Sequence, residues 1–349
     1  NAVFDEPGNI RYQGSSSLYA KNLFNPYLQW EETTKWQGGI DIGLLRDRIL
    51  FSATLARNRC SNQLIFYTLP GLTGFNEVRK NLPATVQNTS WEFTLNTVNF
   101  KSLALTWTSS VNLTIPRNKV IDFPDVKNTM YADSTLGIIV GRPMGTIYLY
   151  KFSGMDPATG AYLVKDKLGD PTTSSFGSPR QLFTPSTLYY GGFQNALQWK
   201  SIQLDFLLQF VRQWGTRSYD YWNGELMPGV QTTGKGNQPV AVLDRWRKPG
   251  DQALVGPYLA SNGSGLGVLP GTDAFWTLDA SYIRLKNVSL SWQMPPALCK
   301  KLGLQNGRLY SQGQNLLTFT NFSGLDPENQ SSTSLPPLRT WTLGVQVVL

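Results

Sequence analysis

The 349 residues read as an all-β chain, an antiparallel wall of a transmembrane β-barrel, and three patterns say so. Apolar and polar residues alternate over long runs. The runs exceed ordinary strand length, and the connections between them are short and long by turns. Alternation with period two sends successive side chains to opposite faces of a strand. In residues 103–115, Leu103, Leu105, Trp107, Val111, Leu113 and Ile115 share one face, and Ala104, Thr106, Thr108, Ser110, Asn112 and Thr114 share the other. Ile202, Leu204, Phe206, Leu208 and Phe210 separate in the same way from Gln203, Asp205, Gln209 and Gln213. So do Trp341, Leu343, Val345, Val347 and Leu349 from Thr340, Thr342 and Gln346. The runs last ~10 to 14 residues, whereas strands of soluble proteins have a mode of about 5 to 6 and a tilted membrane-spanning strand needs about 9 to 11.

Taken in order, the expected strands are 36–45, 48–66, 86–99, 103–115, 189–199, 201–214, 279–293, 308–320 and 339–349. Tight hairpins are expected at Arg46 and Asp47, at residues 99–102, and at Lys200 and Ser201, with the linker 295–306 in an equivalent slot. Long connections rich in Gly, Pro, Asn and Tyr fill 68–83, 116–188 and 215–279, and residues 134–166 promise an added hairpin. Strict alternation of short and long connections matches outer-membrane barrels, with short periplasmic turns and long extracellular loops. It also puts the C-terminus on the periplasmic side. Barrels of this class close on even strand numbers, so nine strands imply part of a larger barrel. Trp91, Trp199, Trp214, Trp292 and Trp341 sit near run ends, where an aromatic girdle belongs. Near Ile283 the faces swap, Arg284 and Lys286 sharing parity with Leu290 and Trp292, and one inserted residue near Asn287 would restore them: a β-bulge.

Composition narrows function. Histidine is absent, which removes the commonest general base and the commonest metal ligand. No catalytic, cofactor or metal-binding motif takes its place. Lys and Arg exceed Asp and Glu by 8, yet they are scattered, so nucleic acid is not an expected partner. The two cysteines, Cys60 in a strand-like run and Cys299 in a connection, are expected as free thiols. No apolar run reaches the ~18 residues of a membrane helix, and the first residues lack the pattern of a signal peptide. The N-terminus reads as a mature or truncated start.

Seven stretches carry a family resemblance: NPYLQWEETTKWQGGIDIGLL (25–45), GMDPATG (154–160), LYYGGFQNALQWKSIQLDF (188–206), DRWRKPGD (244–251), LDASYIRLKNVSLSWQMP (278–295), GRLYSQGQNLLTFTNFSGLDPE (307–328) and the closing RTWTLGVQVVL. Together, and in this order, they resemble the C-terminal part of the SusC/RagA-like TonB-dependent outer-membrane transporters of Bacteroidetes. The resemblance implies a 22-stranded barrel holding a plug and capped by a SusD-like surface lipoprotein. Such a barrel imports oligosaccharides or peptides with energy relayed by TonB. Residues 1–349 would be the last third or so, lacking the plug and Ton box. The competing reading is a secreted β-sandwich or propeller that binds or cleaves glycans.

For cargo contact the sequence offers the 214–258 segment, where Trp214, Tyr219, Tyr221, Trp222, Asn223 and Trp246 cluster with Asp220, Arg245 and Asp251. Aromatic faces beside polar groups suit sugar or peptide capture. The same residues would also serve to pack the loop or meet the lid protein. Carboxylate neighbours, Glu31 with Glu32 and Asp326 with Glu328, lack the setting of a glycosidase pair. FSGMDP from Phe152 and FSGLDP from Phe322 are foremost turn devices, with a calcium or partner site as the alternative.

Overall fold

The computed structural model describes residues 4–5, 11–12, 15–16, 19–20, 23–128, 138–215, 240–253, 255–258, 271–276, 278–331 and 334–349. Nine long strands order themselves as a meander, each beside its neighbours in sequence. They are β1 (Glu32–Leu44), β2 (Ile49–Ser61), β3 (Thr85–Lys101), β4 (Leu105–Asp122), β5 (Thr187–Trp199), β6 (Ile202–Gly215), β7 (Tyr282–Gln293), β8 (Asn306–Thr320) and β9 (Thr340–Val348). All nine expected strands are present, and from β4 to β9 each pairs antiparallel with the next. The short strand Leu278–Asp279 extends the sheet against the end of β6.

The chain forms two compact units. One takes in residues 1–37, 56–89 and 117–144, and its core is Leu82, Ala84, Val120 and Phe123, with Ile65, Val126 and Ile138 packed on them. The other takes in 38–55, 90–116 and 145–349.

Register makes the two faces explicit. Leu204 lies opposite Leu197 and Leu290, and Leu290 opposite Ser311. Leu309 lies opposite both Trp292 and Val345. Large side chains on this face stay exposed: Leu290 is 50% exposed, Phe319 63% and Leu343 81%, in rows rather than singly. A water-soluble surface seldom presents contiguous apolar rows, and a membrane-facing wall must. The opposite face carries Gln203, Ser289, Ser291, Gln312 and Gln346. One polar island interrupts the apolar face. Asn195, 2% exposed, accepts from Trp107 Nε1 at 3.0 Å and Ser109 Oγ at 2.7 Å, and Asn99 Nδ2 donates to Ser109 Oγ at 2.6 Å.

The bulge lies where the parity swap put it. Leu207 and Leu208 pair with Asn287 and Leu285, so Lys286 is the extra residue. Opposite it on β8 the register also jumps, from Gln314 to Leu317, with Asn315 at φ 52°.

Several boundaries differ from expectation. The expected strand 48–66 breaks at Asn62, whose φ of 56° ends β2 at Ser61. A separate strand, Gln63–Thr68, then pairs with Glu77–Leu82, inside what was expected to be a loop. β3 runs on through Lys101, so the hairpin expected at 99–102 turns instead at 102–104. The linker 295–306 contains a helix, α1 (Pro296–Lys301), entered by Pro at its first position, where the missing N–H costs nothing, and it buries Cys299. Both cysteines are free. The Arg46–Asp47 turn holds Leu45, Arg46 and Asp47 at positive φ, and Lys200 (φ 52°) closes the β5–β6 hairpin.

Candidate functional site

The long connections after β4 and β6 build a layered rim in the second unit. Where a single hairpin was expected, Ile147–Tyr150 pairs with Arg180–Phe183, and Phe152–Met155, Tyr162–Lys165 and Pro171–Thr172 form a three-stranded sheet. Asp273, at the start of a short helical turn, ties the two together: one oxygen accepts from the Phe152 N–H at 2.8 Å, the other from Gln181 Nε2 at 2.9 Å.

Both Asp-Pro motifs make the same turn. Asp156 Oδ1 accepts the Ala158 N–H at 2.9 Å, and Asp326 Oδ1 accepts the Glu328 N–H at 2.9 Å, each bond reaching two residues forward. Backbone bonds close both turns four residues on, from Gly160 and from Gln330. In the first, the Thr159 hydroxyl donates to Asp156 Oδ2 at 2.6 Å and, with the Ala158 N–H, holds that carboxyl below the usual carboxylate range. The glycines serve different ends. Gly154 has φ 100°, a conformation other residues avoid, whereas Gly324 lies under the Phe322 ring, where an added Cβ would come within 2.4 Å.

What each turn docks on also differs. Trp246 covers the first: its Nε1 donates to Pro157 O at 3.0 Å, and a Cβ on Gly160 would meet its ring at 2.7 Å. Gly250 N also donates to Pro157 O at 2.8 Å, and Asp251 Oδ2 accepts the N–H groups of Arg247 and Lys248. The second turn is clasped to the strand wall. Arg284 on β7, 1% exposed, donates to Asp326 through Nη2, to Glu328 through Nη1 at 2.6 Å and to Thr318 through Nε at 3.0 Å. Lys286 Nζ stands 3.6 Å from Glu328, and Gln213 Nε2 donates to Pro327 O at 2.6 Å. The bulge at Lys286 is what turns Arg284 to the polar face.

Of the expected cargo contacts, the structure describes two. Trp246 packs on the first turn. Trp214 follows Phe210 and Arg212 at a spacing of two on the apolar face of β6. Its ring meets Phe183 edge-on at 6.0 Å, and its carbonyl accepts from Gln330. Tyr219, Tyr221, Trp222 and Asn223 lie outside the described residues, as does Asp220. Arg245 stacks over Tyr258 at 5.7 Å. Sequence reasoning missed the Arg284 clasp and the Arg212–Asp279 pair, whose Nη1 to Oδ2 distance is 2.5 Å. A cation sharing the parity of apolar neighbours was the available signal for both. Glu31 accepts the Leu64 N–H at 2.8 Å, and Asp326 and Glu328 hold Arg284, so three of the four acids considered for hydrolysis are spent on the fold.

No family model matches the chain. In sequence it is 26% identical to TonB-dependent receptor P3 of Formosa agariphila, over 96% of this chain and 36% of that one. It is 22% identical to TonB-dependent receptor SusC of Bacteroides thetaiotaomicron, over 93% of this chain and 32% of that one. The chain thus spans about a third of the length of the curated relatives it matches. Its fold superposes on the RagAB peptide importer in the closed-closed state with a TM-score of 0.82 at 21% identity, covering 99% of this chain and 38% of that one. These relatives are receptors and importers rather than enzymes. A meander of long strands with one greasy and one wettable face is thus similar, over nearly its whole length, to part of the SusC/RagA-like TonB-dependent transporters.

Proposed function

We propose that the chain is one length of the barrel wall, with its loops, of an outer-membrane transporter that imports oligosaccharides or peptides. A SusD-like surface lipoprotein would be its lid, and TonB would act through a plug and Ton box supplied from outside residues 1–349. The long connections face the medium and β9 ends toward the periplasm. The observation that carries the reading is the exposed apolar face, which runs from β4 to β9 around one polar island at Asn195 and is backed by a face of Gln, Ser and Thr. A secreted sandwich would bury that face against a second sheet.

Within this reading, cargo meets the 214–258 segment through Tyr219, Tyr221, Trp222 and Asn223, while Trp214 and Trp246 fasten its ends. The test is uptake of dye-labelled malto-oligosaccharides and dye-labelled tryptic peptides by cells with and without the gene. Import of one class that vanishes with the gene and with a protonophore is expected. Uptake indifferent to both would refute transport. Replacing Tyr221 and Trp222 by Ala is expected to weaken cargo binding about tenfold or more, as loss of aromatic anchors does. Unchanged affinity would move the contact elsewhere.

A further inference from the structure

Near the long-connection end of β6 to β8, the apolar face carries two adjacent rows. Phe210, Ile283 and Phe319 lie opposite one another in the first. In the second, Tyr189 pairs with Arg212, whose Nη1 reaches Asp279 at 2.5 Å and Ser281 Oγ at 3.2 Å. The rows border a notch of about 540 Å³, within the range of about 300 to 1,000 Å³ typical of small-molecule sites. Phe319 is 63% exposed and Ile283 48%, so the lower half is greasy and open. Arg212 comes ten residues after Ile202, at the start of β6, about the ~9 to 11 residues a spanning strand needs. It therefore stands at the far edge of the apolar band, where a cation is tolerated.

A guanidinium offers five N–H donors. Among the described residues only Nη1 of Arg212 has hydrogen-bond partners, which leaves the Nε and Nη2 donors for another acceptor. Asp279 supplies carboxylate oxygens beside it, fit for hydroxyl donors, while Ser281 Oγ is filled by Gln213 and Arg212. The notch therefore combines an apolar trough, a guanidinium suited to phosphate and acceptors suited to sugar hydroxyls.

We propose that this notch binds a phosphorylated glycolipid of the outer leaflet. Its acyl chain would lie along Ile283 and Phe319, its phosphate on Arg212 and its sugar hydroxyls on Asp279. The inference rests on the membrane-wall reading. In the test, the intact receptor carrying this chain is purified in mild detergent and exposed to bis-phosphorylated lipid A, to its dephosphorylated form and to phosphatidylethanolamine. Bound copies are counted by native mass spectrometry. Lipid A is expected to be held about tenfold more tightly than either other lipid, and Arg212→Gln to abolish the preference. Asp279→Asn keeps an acceptor but removes the charge that competes for Arg212, so it is expected to strengthen the preference. Both variants break the same ion pair, so a purely structural role predicts the same direction for both. Equal binding of the dephosphorylated form, equal binding of phosphatidylethanolamine, or parallel shifts in the two variants would overturn the proposal. A receptor that stays dispersed without detergent would instead sink the wall reading beneath it.

Discussion

A guanidinium at 1% exposure is too costly to keep without partners, and Arg284 keeps two carboxylates and a hydroxyl. Removing it leaves Asp326, 4% exposed, as an uncompensated buried charge. Arg284→Ala is therefore expected to cost about 3 to 5 kcal/mol in the local stability of the 321–339 connection. Limited proteolysis of the folded receptor measures this as faster cleavage there, and adding Asp326→Asn is expected to restore part of the protection. An unchanged cleavage rate would mean the clasp does not hold the loop. At this scale the sequence was half legible. Arg284 stood out because it broke an alternation, but partners 42 and 44 residues away follow no local rule. The twin Asp-Pro motifs were legible as turns, since Asp and Pro act within four residues. What each turn rests on, a tryptophan or an arginine, depends on distant chain.

A strand shows itself in sequence by its repeating two-residue pattern, so β1 to β9 were visible in outline. Their ends were not, because single backbone conformations set them. The left-handed Asn62 that splits β2 from Gln63–Thr68 has no alternation to betray it, and the Pro-entered helix α1 is too short for a helical period to emerge. Face assignment yields a sharp test on β6, where Leu208 and Gln203 point to opposite faces. Leu208→Arg puts a cation on the membrane side at mid-strand and is expected to cost about 2 to 4 kcal/mol, impairing assembly. Gln203→Arg is expected to assemble normally. Heat-modified mobility on gels distinguishes the folded from the unfolded wall, and equal behaviour of the two variants would reverse the faces.

For the molecule as a whole, the exposed rows of Leu, Val, Ile and Trp require a hydrocarbon partner. The purified receptor is expected to stay dispersed in detergent and to aggregate on its removal, as light scattering would report. A stable, detergent-free monomer would contradict the wall. The rim was the least legible region, because its hairpins and turns pack by contacts between segments whose compositions look alike, rich in Gly, Asn and Tyr. The bulge at Lys286 has one more effect, on assembly order. A uniformly alternating strand looks the same after a slip of two residues, so its neighbours accept several alignments with greasy and wettable faces intact. β7 carries a phase step at Lys286 and β8 a jump from Gln314 to Leu317 opposite it, so any slip between these two strands sets each irregularity against an unbroken run. The two facing irregularities thus mark one alignment of β7 on β8, and in a meander built strand upon strand that mark is passed on to the strand paired next.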